Sequence, residues 1–136
     1  MEVSLKKPLR LGDLELEVLE YLWVHGEGTP KTVHSHMQDW RDNTLNTVQS
    51  TLDRLYKKGI LERKKIAYSF QYTCKYSRTE ILTLKIGDLA EELSKGETRE
   101  LLAAFVEFTA RLEEPRIAEL EAMISAHRKK QARKKP

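Results

Sequence analysis

Apolar residues recur along this chain at helical spacing in six places and at strand spacing in two. Leu11, Leu14, Val18, Leu19, Leu22 and Trp23 share the face of a first helix, with Asp13 its expected N-cap, Glu15 and Glu17 in its first turn, and Gly26 and Gly28 ending it. Thr29-Pro30 then reads as a cap and a first helical position, where the missing amide of Pro costs nothing. That second helix is short, with Val33 and Met37 one turn apart. In the stretch TLNTVQSTLDRLYKKG, residues 44–59, Leu45, Val48, Leu52 and Leu55 follow at spacings of three, four and three. Gly59 stands where the left-handed residue after a helix belongs, and Lys57 and Lys58 complement the negative end of its dipole.

Beyond Gly59 the period drops to two. Residues 60–65 and 67–72 read as two short strands, the second with aromatics at 68, 70 and 72, joined tightly near Lys65-Ile66 without a Gly. Ser77-Arg78-Thr79-Glu80 is a capping box opening a helix with Leu82, Ile86, Leu89 and Leu93 on one side, stopping near Gly96. Leu101, Phe105, Phe108 and Leu112 mark the next helix. Glu114-Pro115 breaks the pattern and starts a last one, with Ile117, Leu120 and Ile124 inward.

The polar side of the third helix is unusual. Asn46, Gln49, Ser50, Asp53 and Lys57 recur at three- and four-residue steps, flanked by Thr47, Thr51 and Arg54. Solvated helix faces usually carry Glu and Lys, which are better helix formers than Asn, Thr and Ser. Short uncharged amides and hydroxyls suit base edges and phosphates, with the basic residues further along meeting the backbone. An exposed polar face accounts for this helix equally well, so its context decides.

Three helices followed by a hairpin within about 60 residues is the winged helix-turn-helix order, in which the third helix enters the major groove. The fold expected is mostly α with a small β hairpin: a flexible arm at 1–10, a winged domain at 11–76, a helical dimerisation segment at 77–127 and a basic disordered tail at 128–136. In that geometry Arg63, Lys64 and Lys65 on the hairpin face phosphates. The backbone-contacting set is completed by Thr44, Arg54, Lys57, Lys58 and Tyr68.

Charge sharpens this division. Residues 39–75 hold eight basic side chains against four acids, whereas 80–121 hold five against eleven. One half is therefore suited to a polyanion and the other is not. The tail RKKQARKKP adds six positive charges; such runs are usually solvated and disordered. No run of about 18 apolar residues exists to span a membrane, and the start lacks an apolar signal region, so a cytoplasmic protein is expected. Cys74 is the only cysteine, which excludes an intrachain disulfide or a multi-cysteine metal centre, and it reads as a small buried hydrophobe. His34 and His36 lie two apart and point to different sides of a helix. No metal or cofactor is expected. No phosphate-binding glycine loop, G-x-S-x-G nucleophile motif or paired catalytic carboxylates appear, so the chain does not read as an enzyme.

These residues resemble the penicillinase-repressor (BlaI/MecI/CopY) family of transcriptional regulators. The likeness rests on residues 11–15 with Leu22-Trp23, on 47–59, on Phe70-Gln71-Tyr72 and on 104–107, and covers roughly residues 10–125. It implies a homodimeric repressor binding palindromic operators before resistance or stress operons. It places the DNA-touching positions at Asn46, Thr47, Gln49 and Ser50. Where family members often carry Lys and Arg, Asn46 and Gln49 favour adenine, so the operator is expected to differ. The resemblance also implies relief by a regulatory protease cutting before a Phe similar to Phe105. Ala104 stands where Asn is typical, leaving cleavage control open. Copper-responsive members carry a C-terminal cysteine cluster that this chain lacks, and its wing is shorter than usual.

The C-terminal helices read either as a monomeric helical cap or as a dimer interface. About 45 residues with strongly apolar faces have little core of their own to bury, which favours two copies packing together. Leu89, Leu93, Leu101, Phe105 and Phe108 are the interface residues expected. A winged-helix module that binds protein rather than DNA is the alternative. It would call for an apolar or acidic third helix, which 46–58 is not.

Overall fold

The computed structural model describes residues 8–37, 43–95 and 97–134. Its elements are α1 (Asp13–His25), α2 (Pro30–His36), α3 (Leu45–Lys57), β1 (Leu61–Ile66), β2 (Ser69–Cys74), α4 (Arg78–Ser94), α5 (Thr98–Thr109) and α6 (Glu114–Lys134). They fall into two compact units, one running to Asp88 and the other from Leu89.

In the first unit α3 packs against α1, α2 and β1. Val18, Leu19 and Leu22 from α1, Val33 from α2, Val48, Leu52 and Leu55 from α3, and Ile60, Leu61 and Tyr72 around the hairpin form the core. Ile81 and Leu84 bring the first turns of α4 onto it. Burying each of these large side chains contributes roughly 1.5–3 kcal/mol before chain entropy is counted. The helix signals read from the sequence act as expected in three places. Thr29 Oγ1 accepts from the Thr32 amide at 3.2 Å. Ser77 and Glu80 exchange both capping bonds, at 3.0 and 3.1 Å. Gly59 has φ 83, and the amides of Gly59 and Ile60 close back onto Tyr56 and Leu55 at 3.0 and 3.1 Å, a Schellman turn.

β1 and β2 pair antiparallel, with Leu61 opposite Cys74, Arg63 opposite Tyr72 and Lys65 opposite Phe70. A bridge from Gly28 to Tyr72, with bonds of 3.0 and 2.8 Å, pins the hairpin to the α1–α2 turn. The strands start one and two residues later than their period suggested. Ile60 is used to close α3, so pairing begins at Leu61. Tyr68 falls in the turn beside Ala67, which takes φ 55.

Three other expectations change. The N-cap of α1 is Gly12, whose amide bonds Glu15 Oε1 at 3.0 Å, rather than Asp13. The arm is not free at its described end: Leu9 is buried, its amide donates to Asp88 Oδ2 at 2.7 Å and its carbonyl accepts from Lys85 Nζ at 3.0 Å. Leu9 is an isolated apolar residue with no period, so only the tertiary structure reveals its seat. Residues 1–7 lie outside the described set, as do Trp40 and Arg41. Finally, α6 runs on to Lys134, where the charge run had suggested disorder. Between Pro115 and Pro136 nothing interrupts a helix, and Ala, Arg, Lys and Gln are all good helix formers.

In the second unit α5 and α6 have no buried residue. Leu89, Leu93, Leu102, Phe105, Val106, Phe108, Met123 and Ile124 are large apolar side chains left exposed to solvent in the single chain.

Candidate nucleic-acid interface

The site is built on α3. Thr44 caps it, accepting from the Thr47 amide at 3.1 Å. With Val48, Thr51, Leu52 and Leu55 buried, the helical period turns Asn46, Thr47, Gln49 and Ser50 outward, and all four are exposed. Thr51 keeps its hydroxyl satisfied inside the helix by donating to the Thr47 carbonyl at 2.8 Å. Thr47 shares its own hydroxyl with that of Thr44 at 2.9 Å. Asn46, Gln49 and Ser50 therefore present free amide and hydroxyl groups on a row little more than one turn long, held by a core behind it.

A groove of about 410 Å³ runs between α3 and the hairpin, lined by Asn46, Gln49, Ser50 and Asp53 on one side and Arg63, Phe70 and Tyr72 on the other. Asp53 lies at its end. Its carboxylate takes Lys57 at 3.0 Å and Arg63 at 3.0 Å. These hydrogen bonds, that of Lys57 first, hold the carboxyl below its ordinary value.

The basic residues expected at phosphates separate into two groups. Lys57, Lys64, Lys65 and Arg54 are exposed, and Tyr68 at the hairpin tip is fully so. Alternation puts Lys65 on the side of the hairpin that faces α3 and Lys64 on the other. Lys58 and Arg63 are differently placed. Lys58 Nζ is tied to Glu15 at 2.7 Å and to the Arg10 carbonyl at 2.6 Å, joining the end of α3 to the start of α1. Arg63 is only 23% exposed. Its guanidinium carbon lies 3.9 Å from the Tyr56 ring centre and 4.1 Å from that of Phe70. Its Nη1 also reaches Tyr72 Oη at 3.4 Å. Nothing in the sequence marked Lys58 for Glu15, 43 residues away. The Arg63 surroundings had a signal, since Phe70 and Tyr72 alternate on the strand beside it.

Of the remaining site expectations, Leu89, Leu93, Phe105 and Phe108 are exposed and Leu101 is half-buried. Ala104-Phe105 sits in the middle of α5. Cys74 is half-buried, and its thiol donates to the Tyr76 carbonyl at 3.0 Å. Burial pushes that thiol above its ordinary pKa, the opposite of a reactive cysteine. Among the described residues no group of three His, Cys, Asp or Glu side chains converges to hold a metal ion. No described helix is long and apolar enough to cross a membrane.

Three helices, a two-stranded wing and a polar third-helix face beside it define a winged-helix, DNA-binding transcription regulator. The family model described as penicillinase repressor matches residues 11–126. The chain belongs to that family, one of transcriptional repressors and not of enzymes. It is 33% identical over 103 residues to the transcriptional regulator BlaI of Mycobacterium tuberculosis, covering 74% of this chain and 75% of that protein. It is 26% identical over 124 residues to the penicillinase repressor of Bacillus licheniformis, covering 91% and 96%. Among solved structures it is similar to the B. licheniformis BlaI monomer in complex with a half-operator, with 30% identity, a TM-score of 0.46, and 54% of this chain and 90% of that one covered.

Proposed function

We propose that this repressor acts in the cytoplasm as a homodimer on a palindromic operator controlling a resistance or stress operon. The observation that carries the reading is the row of Asn46, Gln49 and Ser50, exposed on a helix whose opposite face buries Val48, Thr51, Leu52 and Leu55. A rigid row of this kind reads base edges in the major groove. Asn and Gln each offer a donor and an acceptor matched to the N6 and N7 of adenine. Thr47 stands beside them. Thr44, Arg54, Lys57, Lys64, Lys65 and Tyr68 surround the row with groups suited to phosphates, which carry most of the affinity.

The second unit supplies the dimer. Leu89, Leu93, Phe105 and Phe108 expose apolar surface that a second copy would cover, with Leu101 at its margin. A two-fold dimer sets two recognition helices about 34–36 Å apart, one DNA turn, which matches an inverted repeat. Doubling the phosphate contacts makes repression depend on dimerisation. Relief then follows from any event that breaks the second unit, such as a regulatory protease cutting between Ala104 and Phe105. Because both residues are helical, that cut requires α5 to open locally first.

Selection of bound duplexes from a randomised pool tests this reading. It predicts enrichment of an inverted repeat with adenines in each half-site. Enrichment of single half-sites without symmetry would remove the dimer, and no enrichment would leave a winged helix that binds protein.

A further inference from the structure

The hairpin carries three consecutive basic residues, Arg63, Lys64 and Lys65, yet only one of them is enclosed. Two aromatic rings lie against the Arg63 guanidinium, with their centres 3.9 Å (Tyr56) and 4.1 Å (Phe70) from its central carbon. Tyr56 belongs to α3 and Phe70 to β2, so the stack crosses from helix to hairpin. One edge of the guanidinium is taken by Asp53 Oδ1 of α3 at 3.0 Å and by the hydroxyl of Tyr72 at 3.4 Å. Tyr72 in turn is buried and bridged to Gly28. Of these groups Asp53, Arg63, Phe70 and Tyr72 line the groove beside Gln49 and Ser50.

We infer that Arg63 is a positioning residue that clamps the wing to the recognition helix, and that its charge serves Asp53 rather than a DNA phosphate. This rests on the proposed operator binding and assigns a separate role within it. An arginine is suited to the task and a lysine is not. The planar cation stacks on two rings and binds a carboxylate edgewise at once, whereas an ammonium is a compact, strongly hydrated point charge. The clamp fixes the distance between the two DNA-facing elements, so Lys65 reaches its phosphate while Gln49 and Ser50 meet the bases. Lys64 and Lys65 are left as the hairpin's electrostatic contribution. Asp53 thereby has a function on a face meant for a polyanion: it neutralises Arg63 internally and keeps the clamp closed before DNA arrives, while Lys57 on its other oxygen stays exposed.

The test compares Arg63→Lys, Arg63→Gln and Lys65→Gln in the full chain, on the duplex the wild type selects and on a scrambled one, over a range of salt. A clamp predicts that Arg63→Lys and Arg63→Gln both weaken the selected duplex by about tenfold and leave the salt slope unchanged. Lys65→Gln flattens the slope by about 0.9 for each phosphate contact removed. If Arg63→Lys binds as the wild type does while Arg63→Gln flattens the slope, Arg63 is a phosphate contact and the inference is wrong. A second arm needs no DNA. Carbon-detected titration of the Asp53 carboxyl is expected to move up towards its ordinary value in Arg63→Gln, with Lys57 still beside it. An unmoved carboxyl overturns the clamp. If the wild type selects no duplex at all, the proposed function falls, and the titration judges the clamp by itself.

Discussion

Replacing Gly28 by Ala should loosen the winged domain from a single methyl group. Gly28 lies in the turn between α1 and α2, and a Cβ there would stand 2.8 Å from Tyr21 Cε1, 2.9 Å from Val33 Cγ2 and 3.4 Å from Leu22 Cδ2. Neither of the two closest atoms can give way cheaply. Val33 is fully buried in α2, where a β-branched side chain has essentially one rotamer. The Tyr21 ring is stacked on His25 at 4.1 Å and meets His36 edge-on at 5.1 Å. The strain must therefore move the backbone, which holds both bridge bonds to Tyr72. Overpacking costs roughly 1–3 kcal/mol and a distorted bridge bond about 1 kcal/mol, so about 2–4 kcal/mol of stability should be lost. Urea unfolding followed by far-ultraviolet dichroism measures it as a lower midpoint with an unchanged slope. Gly26→Ala is the control. Gly26 has φ 86 but open space around its Cβ, so it should lose only the left-handed penalty of about 1–2 kcal/mol. A Gly28→Ala midpoint equal to that of the wild type would refute the packing argument outright.

Other consequences follow from the same geometry. Leu52→Ala empties a fully buried position where α3 meets the core and should cost about 2–5 kcal/mol in the same urea assay. Gln49→Ala, at an exposed position, should leave the midpoint alone and cost about 1–3 kcal/mol in operator affinity; a reversed pattern would make Gln49 structural. Hydrogen bonding to Arg78 depresses the Glu20 carboxyl. Its contribution is therefore present above the ordinary carboxylate range and lost as pH falls through the lowered value; titration by nuclear magnetic resonance should show Glu20 returning to its ordinary value in Arg78→Ala. The raised thiol of Cys74 should react with a disulfide reagent at pH 8 far more slowly than in the urea-unfolded chain.

Helix order and the exposure of the Asn46, Gln49 and Ser50 row were legible because both depend on local rules. Period alone separated Val48, Leu52 and Leu55 from Asn46, Gln49 and Ser50, and Gly59 could do only one job after α3. What escaped was set by partners distant in sequence. Leu9 is held by Lys85 and Asp88 of α4, and no local pattern carries that. Lys58 and Arg63 looked like any exposed basic residue until Glu15, and then Asp53, Tyr56 and Phe70, were brought beside them. Strand boundaries shifted because the Schellman closure consumed Ile60 and because Ala67 accepted a left-handed turn without a Gly. The second unit kept its apolar stripes but buries no residue of α5 or α6 within one chain.

Selective recognition of duplex DNA through α3 can be read by fluorescence anisotropy. The full chain would be titrated with labelled DNA from upstream of its own gene and with a scrambled duplex, across salt concentrations. The expected result is tight binding to one inverted repeat, weak binding to the scrambled duplex, and an affinity that falls steeply with salt as several phosphate contacts release their counterions. Equal weak binding to both duplexes, or none at low salt, would contradict it.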